Sequence, residues 1–158
     1  MTGTINVLLV EDNAADVDLT REMLSATKFD IKLSVATDGV EALDYLNGVG
    51  NWSEPGQPTL ILLDLNLPRK DGRQVLAVLK SHDELRRIPV VVLSSSNSKK
   101  DVTSCYHLGA NCYIVKPVDL DAYRALVRRL EDFWLGLVEL PYREGHSIAT
   151  RISFEEQR

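Results

Sequence analysis

The chain has 158 residues, of which 44% are hydrophobic and 26% are charged, and its formal net charge is −5. This length predicts one domain with a short appendage, and the acidic balance argues against nucleic acid or an anionic membrane as the main partner. The apolar runs reach only about six residues, too short to cross a bilayer, and no signal peptide is visible. The two cysteines fit neither a disulfide framework nor a metal-site spacing, so we expect a cytoplasmic protein with reduced thiols.

Apolar strand-like runs alternate with helical patterns along the chain. The predicted strands are 5–10, 31–36, 59–64, 89–94 and 111–115, and the predicted helices are 13–27, 38–48, 72–81, 98–108 and 119–138. Capping residues stand at four helix starts. They are Asn13 and Asp119 as N-caps, and the pairs Asp38–Glu41 and Ser98–Asp101 as capping boxes. Five strands with intervening helices imply an α/β fold with a doubly wound (βα)5 parallel sheet.

The last predicted helix carries more apolar surface than one sheet can cover. One stripe at helical spacing comprises Leu120, Tyr123, Val127, Leu130, Trp134 and Leu137, and a second apolar set comprises Leu126, Phe133 and Leu140. We therefore expect residues 5–138 to form the domain and residues 139–158, with Ile148, Ile152 and Phe154, to form a C-terminal dimerisation arm. The expected assembly is a two-fold homodimer built from the fifth helix and this tail. The alternative is that the tail folds back over its own domain.

Polar groups close four of the predicted strands. Glu11 and Asp12 follow the first strand, Asp64 follows the third, Ser94 closes the fourth and Lys116 follows the fifth. Ligands bind at the carboxyl ends of parallel strands, so these groups should converge at one edge of the sheet. Three neighbouring carboxylates repel one another unless a cation is present, and Mg²⁺ suits a site of carboxylates, water and phosphate.

With Mg²⁺ bound, Asp64 can attack phosphorus as a nucleophile and form an acyl phosphate. Lys116 supplies a positive charge for a phosphoryl oxygen, Ser94 supplies a hydroxyl, and the backbone carbonyl of Asn66 can give the metal a further oxygen. Taken alone, each of these residues is more simply explained as a strand-end cap, a turn residue or a surface lysine. Five such residues at successive strand ends instead point to one site. No glycine-rich phosphate loop is present, so no nucleotide cofactor is expected.

These residues resemble the receiver domain of two-component response regulators over about residues 5–135. The matching motifs are Glu11-Asp12, Asp64 with Asn66 and Pro68, Asp71-Gly72, Ser94, and Tyr113 three residues before Lys116-Pro117. The resemblance implies a flavodoxin-like fold with strand order 2-1-3-4-5 and a cis peptide bond at Lys116-Pro117. It implies these roles: Asp64 as phosphoacceptor, Glu11 and Asp12 as Mg²⁺ ligands, Ser94 and Tyr113 as the switch pair, and Lys116 as the ammonium that pairs with the phosphoryl group. Ser95 departs from the alanine or glycine that many receivers have there.

A closer resemblance is to the single-domain regulators that pair with phytochrome-type histidine kinases. It rests on the long loop before Leu60, on the run 60–72 and on Phe133-Trp134. It implies a signalling protein rather than an enzyme, which takes its phosphoryl group from a histidine kinase and acts through protein contacts. Two alternatives remain: a Mg²⁺-dependent phosphatase with Asp64 as transient nucleophile, and an unphosphorylated scaffold. The phosphatase lacks support because Asn66 stands where a second acid would be needed.

Overall fold

The computed structural model describes residues 3–49 and 57–141. Five parallel strands form one sheet in the order β2-β1-β3-β4-β5, which confirms the predicted doubly wound topology. The strands are β1 (Ile5–Val10), β2 (Ile31–Ala36), β3 (Leu60–Leu63), β4 (Val90–Ser94) and β5 (Cys112–Val115). The three central strands are buried over nearly their whole length, as expected for a parallel sheet with helices on both faces.

Within the described residues, five α-helices connect and follow the strands. They are α1 (Ala14–Ser25), α2 (Gly39–Leu46), α3 (Gly72–Ser81), α4 (Lys99–His107) and α5 (Leu120–Leu130). The predicted N-caps of α1, α2, α4 and α5 all accept a hydrogen bond from the backbone of the first turn. The reciprocal half of the two predicted capping boxes is wrong, because the Glu41 carboxylate accepts from Thr37 and the Asp101 carboxylate pairs with Arg73 and Ser96. A full capping box instead opens α3.

The core lies on both faces of the sheet. On one face, β1 and β3 contribute Leu8, Val10, Ile61 and Leu63 to a cluster completed by the buried sides of α2 and α3 and by Cys105. On the other face, alternate strand residues pack against α1 and α5. Because successive side chains of a strand point to opposite faces, each strand contributes residues to the core on both faces, and the sheet lies between the two core layers. Neither cysteine forms a disulfide; Cys105 is buried in the core, and Cys112 is half-buried and packs against the cluster on the other face.

The end of the domain differs from the single helix predicted over 119–138. The α-helix stops at Leu130, and residues Glu131–Leu137 continue as a π-helix. The wider turn breaks the 3.6-residue spacing, so the predicted stripe does not lie on one face. Tyr123, Val127 and Leu130 are buried, whereas Leu120 and Leu137 are exposed.

The predicted cis peptide bond is not observed, and two segments named in the sequence analysis are not described by the structure. The Lys116–Pro117 peptide bond is trans, so the predicted cis bond is wrong; trans is the form that X–Pro bonds favour by about 0.5–1 kcal/mol. Residues 50–56 of the long loop before Leu60 and the tail with Ile148, Ile152 and Phe154 lie outside the described residues. In the described part of the chain, no helix has the length and apolar character that a membrane span requires.

Candidate phosphoacceptor and metal site

The strand register brings the predicted polar groups to one edge of the sheet. Val10 lies opposite Leu63, so Glu11 and Asp64 leave neighbouring strands side by side, and the Asp64 amide donates to the Val10 carbonyl at 3.0 Å. On the other side of β3, the Lys116 amide donates to the Ser94 carbonyl at 2.8 Å. The site is thus built by backbone pairing, before any side chain contributes.

Three carboxylates converge there. Oxygen atoms of Glu11, Asp12 and Asp64 all lie within 4.8 Å of one another. Glu11 and Asp64 are buried, whereas Asp12 is exposed and open to an arriving ion. Burial is the main cause that raises the pKa of Glu11 to about 7, and the Asp64 carboxylate adds to it while Lys116 opposes it. An all-oxygen set with an excess of buried negative charge fits a hard divalent cation such as Mg²⁺.

Lys116 supplies the positive charge of the site. Its side chain is only 8% exposed and its ammonium nitrogen lies 3.5 Å from an Asp64 oxygen, with Glu11 closer still. Burial lowers the pKa of Lys116, but the hydrogen bond to Glu11 and the charges of Asp64 and Glu11 outweigh burial and hold it above its usual value. Lys116 is therefore charged throughout the physiological range, as a group that pairs with phosphoryl oxygens should be.

The two residues of the predicted switch meet at a common neighbour. Ser94 is fully buried at the end of β4, and its hydroxyl oxygen accepts from the Ser96 amide at 3.2 Å. The Tyr113 hydroxyl donates to the Ser96 carbonyl at 2.7 Å. The Ser96 hydroxyl in turn donates to Asp101 of α4 at 2.5 Å. A displacement of Ser94 would thus act on the segment that holds both Tyr113 and the start of α4.

The loop after Asp64 is held tightly against the site. The Gly72 amide donates to the Leu65 carbonyl at 2.9 Å. A Cβ at Gly72 would lie 2.2 Å from the Asp64 carbonyl oxygen, so only glycine lets α3 begin this close to Asp64. Asn66 is exposed in this loop, and its carbonyl as a metal ligand stays a prediction.

Two contacts at the site were not predicted from the sequence. Asp16, in the first turn of α1, accepts a hydrogen bond from Lys116 at 3.0 Å. Arg73 of α3 pairs with Asp101 of α4 and so joins the two helices beside Ser96. Asp16 follows the N-cap Asn13 by three residues, which places it in the helix but gives no indication of a partner 100 residues away in sequence.

Comparison with known proteins agrees with this geometry. The family model described as "Response regulator receiver domain" matches residues 7–128. Response regulator Rcp1 from Synechocystis sp. (strain ATCC 27184 / PCC 6803 / Kazusa) is 45% identical over 135 residues, covering 85% of this chain and 92% of that protein. The crystal structure of the Mn²⁺-bound form of Rcp1 has a TM-score of 0.84 at 44% identity and covers 87% of this chain and 99% of its own.

A second solved structure is that of the phosphorylated cyanobacterial phytochrome response regulator RcpA. It has a TM-score of 0.85 at 44% identity and covers 89% of this chain and 100% of its own. The family match, the shared fold and the identity over most of the chain support one conclusion. The chain belongs to the response regulator receiver domain family and is related to response regulator Rcp1 and to the cyanobacterial phytochrome response regulator RcpA.

Proposed function

We propose that Asp64 accepts a phosphoryl group from a histidine kinase, with Mg²⁺ held by Glu11, Asp12, Asp64 and the Asn66 carbonyl. The observation that carries this proposal is the convergence of three carboxylates and the Lys116 ammonium around Asp64. The reaction joins an Asp64 oxygen to phosphorus while the bond from phosphorus to the kinase histidine breaks. When bound, Mg²⁺ offsets the negative charge of the carboxylates and of the transferring group.

Each residue of the chain has a separate task in this proposal. Asp64 is the nucleophile, Lys116 pairs with a phosphoryl oxygen, and the Ser94 hydroxyl donates to another. We class the protein as a signalling protein rather than an enzyme, one that assists its own phosphorylation and dephosphorylation. A cytoplasmic location belongs to the same proposal, because two unbridged thiols fit a reducing compartment.

The test uses acetyl phosphate and Mg²⁺, followed by intact mass. One added phosphoryl group per chain is expected for the wild type and none for Asp64→Asn, which keeps the shape but removes the nucleophile. Asp18→Asn, at an exposed position on α1, is the control and should be phosphorylated normally. Steady release of phosphate without an adduct would instead indicate the phosphatase, and no reaction at all would indicate the scaffold.

The proposed donor is a phytochrome-type histidine kinase. Support comes from the similarity to RcpA and Rcp1, which covers most of this chain. The test is transfer from a radiolabelled, autophosphorylated phytochrome-type kinase, compared with an unrelated histidine kinase at the same concentration. Faster transfer from the phytochrome-type kinase is expected, and equal rates would contradict the pairing.

The proposed switch links phosphorylation to the face around α4. A phosphoryl oxygen near Asp64 would attract the Ser94 hydroxyl, and Ser96 would pass this change to Tyr113 and α4. A shift between two existing states of this kind amounts to a few kcal/mol. Ser94→Ala should therefore still accept phosphate on Asp64 but show smaller NMR chemical-shift changes in α4. Equal changes in wild type and variant would contradict the switch.

We also propose a two-fold homodimer through the end of the domain and the tail. Phe133 is half exposed and packs edge-to-face with Trp134 at a ring distance of 5.4 Å, and Leu137 is largely exposed. An apolar patch of this kind is typical of an interface. Light scattering at tens of micromolar should give a dimer for the wild type and a monomer for Phe133→Ser with Leu137→Ser.

The matched control for the dimer is Val118→Ser, which replaces another exposed apolar residue, in the loop before α5. It should leave the dimer intact. A monomeric wild type, with and without phosphorylation, would overturn the proposal and favour a tail that covers its own domain. Residues 139–158 as a separate arm remain part of this proposal.

A further inference from the structure

The Lys116 ammonium is shared among three carboxylates. It donates hydrogen bonds to Glu11 and, at 3.0 Å, to Asp16, whereas Asp64 lies 3.5 Å away. An ammonium group has three N–H donors, so two are used by acids that are not the phosphoacceptor. The third is available towards Asp64. The position of the Lys116 ammonium beside Asp64 thus depends on its hydrogen bonds to Glu11 and Asp16.

Asp16 is the partner of Lys116 that lies on α1, and its backbone is fixed there. It lies in the first turn of α1, where its amide donates to the Asn13 side chain at 3.1 Å. Its carbonyl accepts from the Thr20 hydroxyl at 2.8 Å, and Thr20 lies 3.1 Å from the buried Tyr123 hydroxyl of α5. These contacts fix the backbone of Asp16 within α1, and Thr20 links this helix to α5.

During the proposed reaction, Glu11 and Asp64 also interact with the metal or with the phosphoryl group. Glu11 belongs to the acid cluster that fits the metal, so a divalent cation competes with Lys116 for its oxygens. Asp64 is consumed as the nucleophile. Asp16 lies outside the three-acid cluster, which makes it the one acid contact of Lys116 that neither the metal nor the phosphoryl group claims. A lysine side chain has a flexible four-carbon stem. If Lys116 also lost its hydrogen bond to Asp16, its ammonium could adopt many positions.

We propose that Asp16 is a positioning residue for phosphoryl transfer: its carboxylate holds the Lys116 ammonium beside Asp64 while the metal engages Glu11. This inference rests on the proposed role of Asp64 as the phosphoacceptor. Removing the charge of Asp16 would have an opposite effect on the rate of phosphorylation. The four acids and Lys116 sum to a charge of −3, so removing Asp16 also weakens the repulsion of an anionic phosphoryl donor.

Two substitutions separate positioning from charge. Asp16→Ala removes the acceptor oxygen and the charge, whereas Asp16→Asn removes the charge but keeps an oxygen that can accept from Lys116. Positioning predicts that Asp16→Ala lowers the initial rate of phosphorylation by acetyl phosphate on the order of tenfold at saturating Mg²⁺. It predicts that Asp16→Asn stays within about twofold of the wild type, because the hydrogen bond survives. Charge repulsion alone predicts that both variants react faster.

The decisive experiment repeats Asp16→Ala in a Lys116→Ala background, with intact mass as the readout. A residue that acts through Lys116 has no further effect once Lys116 is gone, so the rate should then be unchanged. Asp18→Ala, an acid removed from an exposed position of the same helix, is the control and should react as the wild type does. Matching urea midpoints would establish that all variants are folded.

Several results would overturn the inference. They are an unchanged or faster rate for Asp16→Ala, an equal slowing in the presence and absence of Lys116, or an Asp16→Asn rate as low as that of Asp16→Ala. If Asp64 were not the phosphoacceptor, the result would be different. The wild-type protein would gain no phosphoryl group, or Asp64→Asn would gain one as well. That result would also remove the role assigned to Asp16.

Discussion

Glu11 offers a direct test of the electrostatics of the site. Its side chain is almost completely buried, and burial together with the Asp64 carboxylate raises its pKa from 4.5 to about 7. In the unfolded chain Glu11 returns to its ordinary value. Between these two pKa values the folded protein holds a proton that the unfolded chain has released. Protonation therefore stabilises the folded state at low pH, and this stability is lost as the pH rises through 7.

The size of the effect follows from the shift. At 1.36 kcal/mol for each pH unit between 4.5 and about 7, the loss is about 3 kcal/mol, and most of it develops between pH 5 and pH 8. Glu11→Gln removes the titrating group and keeps the shape of the side chain. The difference in free energy of unfolding between wild type and Glu11→Gln should therefore change by on the order of 2 kcal/mol over this range, with the wild type losing stability.

Urea unfolding in EDTA at pH 5, 6, 7 and 8 measures this difference directly. Saturating Mg²⁺ favours the ionised carboxylates, so it should reduce the loss in the wild type and act less on the variant, which lacks one ligand. Subtracting the two proteins cancels the pH dependence of the groups that do not interact with Glu11. A difference that stays constant within about 0.5 kcal/mol from pH 5 to pH 8 in EDTA would refute the reasoning, because Glu11 would then titrate alike in the folded and unfolded states.

Two further predictions concern the packing that supports the site. Gly72→Ala should slow phosphorylation of Asp64 and lower stability, because the new Cβ meets backbone atoms at 2.2 and 2.7 Å, whereas Gly3→Ala, with no atom within 4 Å, should do neither; acetyl phosphate kinetics and urea unfolding would show this. Leu76→Ala should cost about 2–5 kcal/mol in urea unfolding because Leu76 is fully buried, and Leu120→Ala, at a half-exposed position, should cost far less.

The sequence by itself determined the strands and the residues that close them. Buried parallel strands are short apolar runs, and the polar residue that ends each run must lie at the carboxyl edge of the sheet. Glu11, Asp64, Ser94 and Lys116 could therefore be assigned to one site without coordinates. Helix starts were predictable for a similar reason, since an N-cap bonds within its own first turn, as Asn13 does.

Tertiary structure decided what depends on contacts distant in sequence. The second half of a capping box failed at Asp101 because its carboxylate pairs with Arg73 on another helix, whereas at Glu41 the competing partner is the nearby Thr37. The change to a π-helix after Leu130 also escaped the 3.6-residue pattern, which assumes a constant turn. Asp16 shows the same limit at the site: its spacing predicts a helix residue, and only the packing of α1 against α5 and the sheet brings it to Lys116. Local rules describe the donors and acceptors that each segment offers, but the fold determines which of them meet.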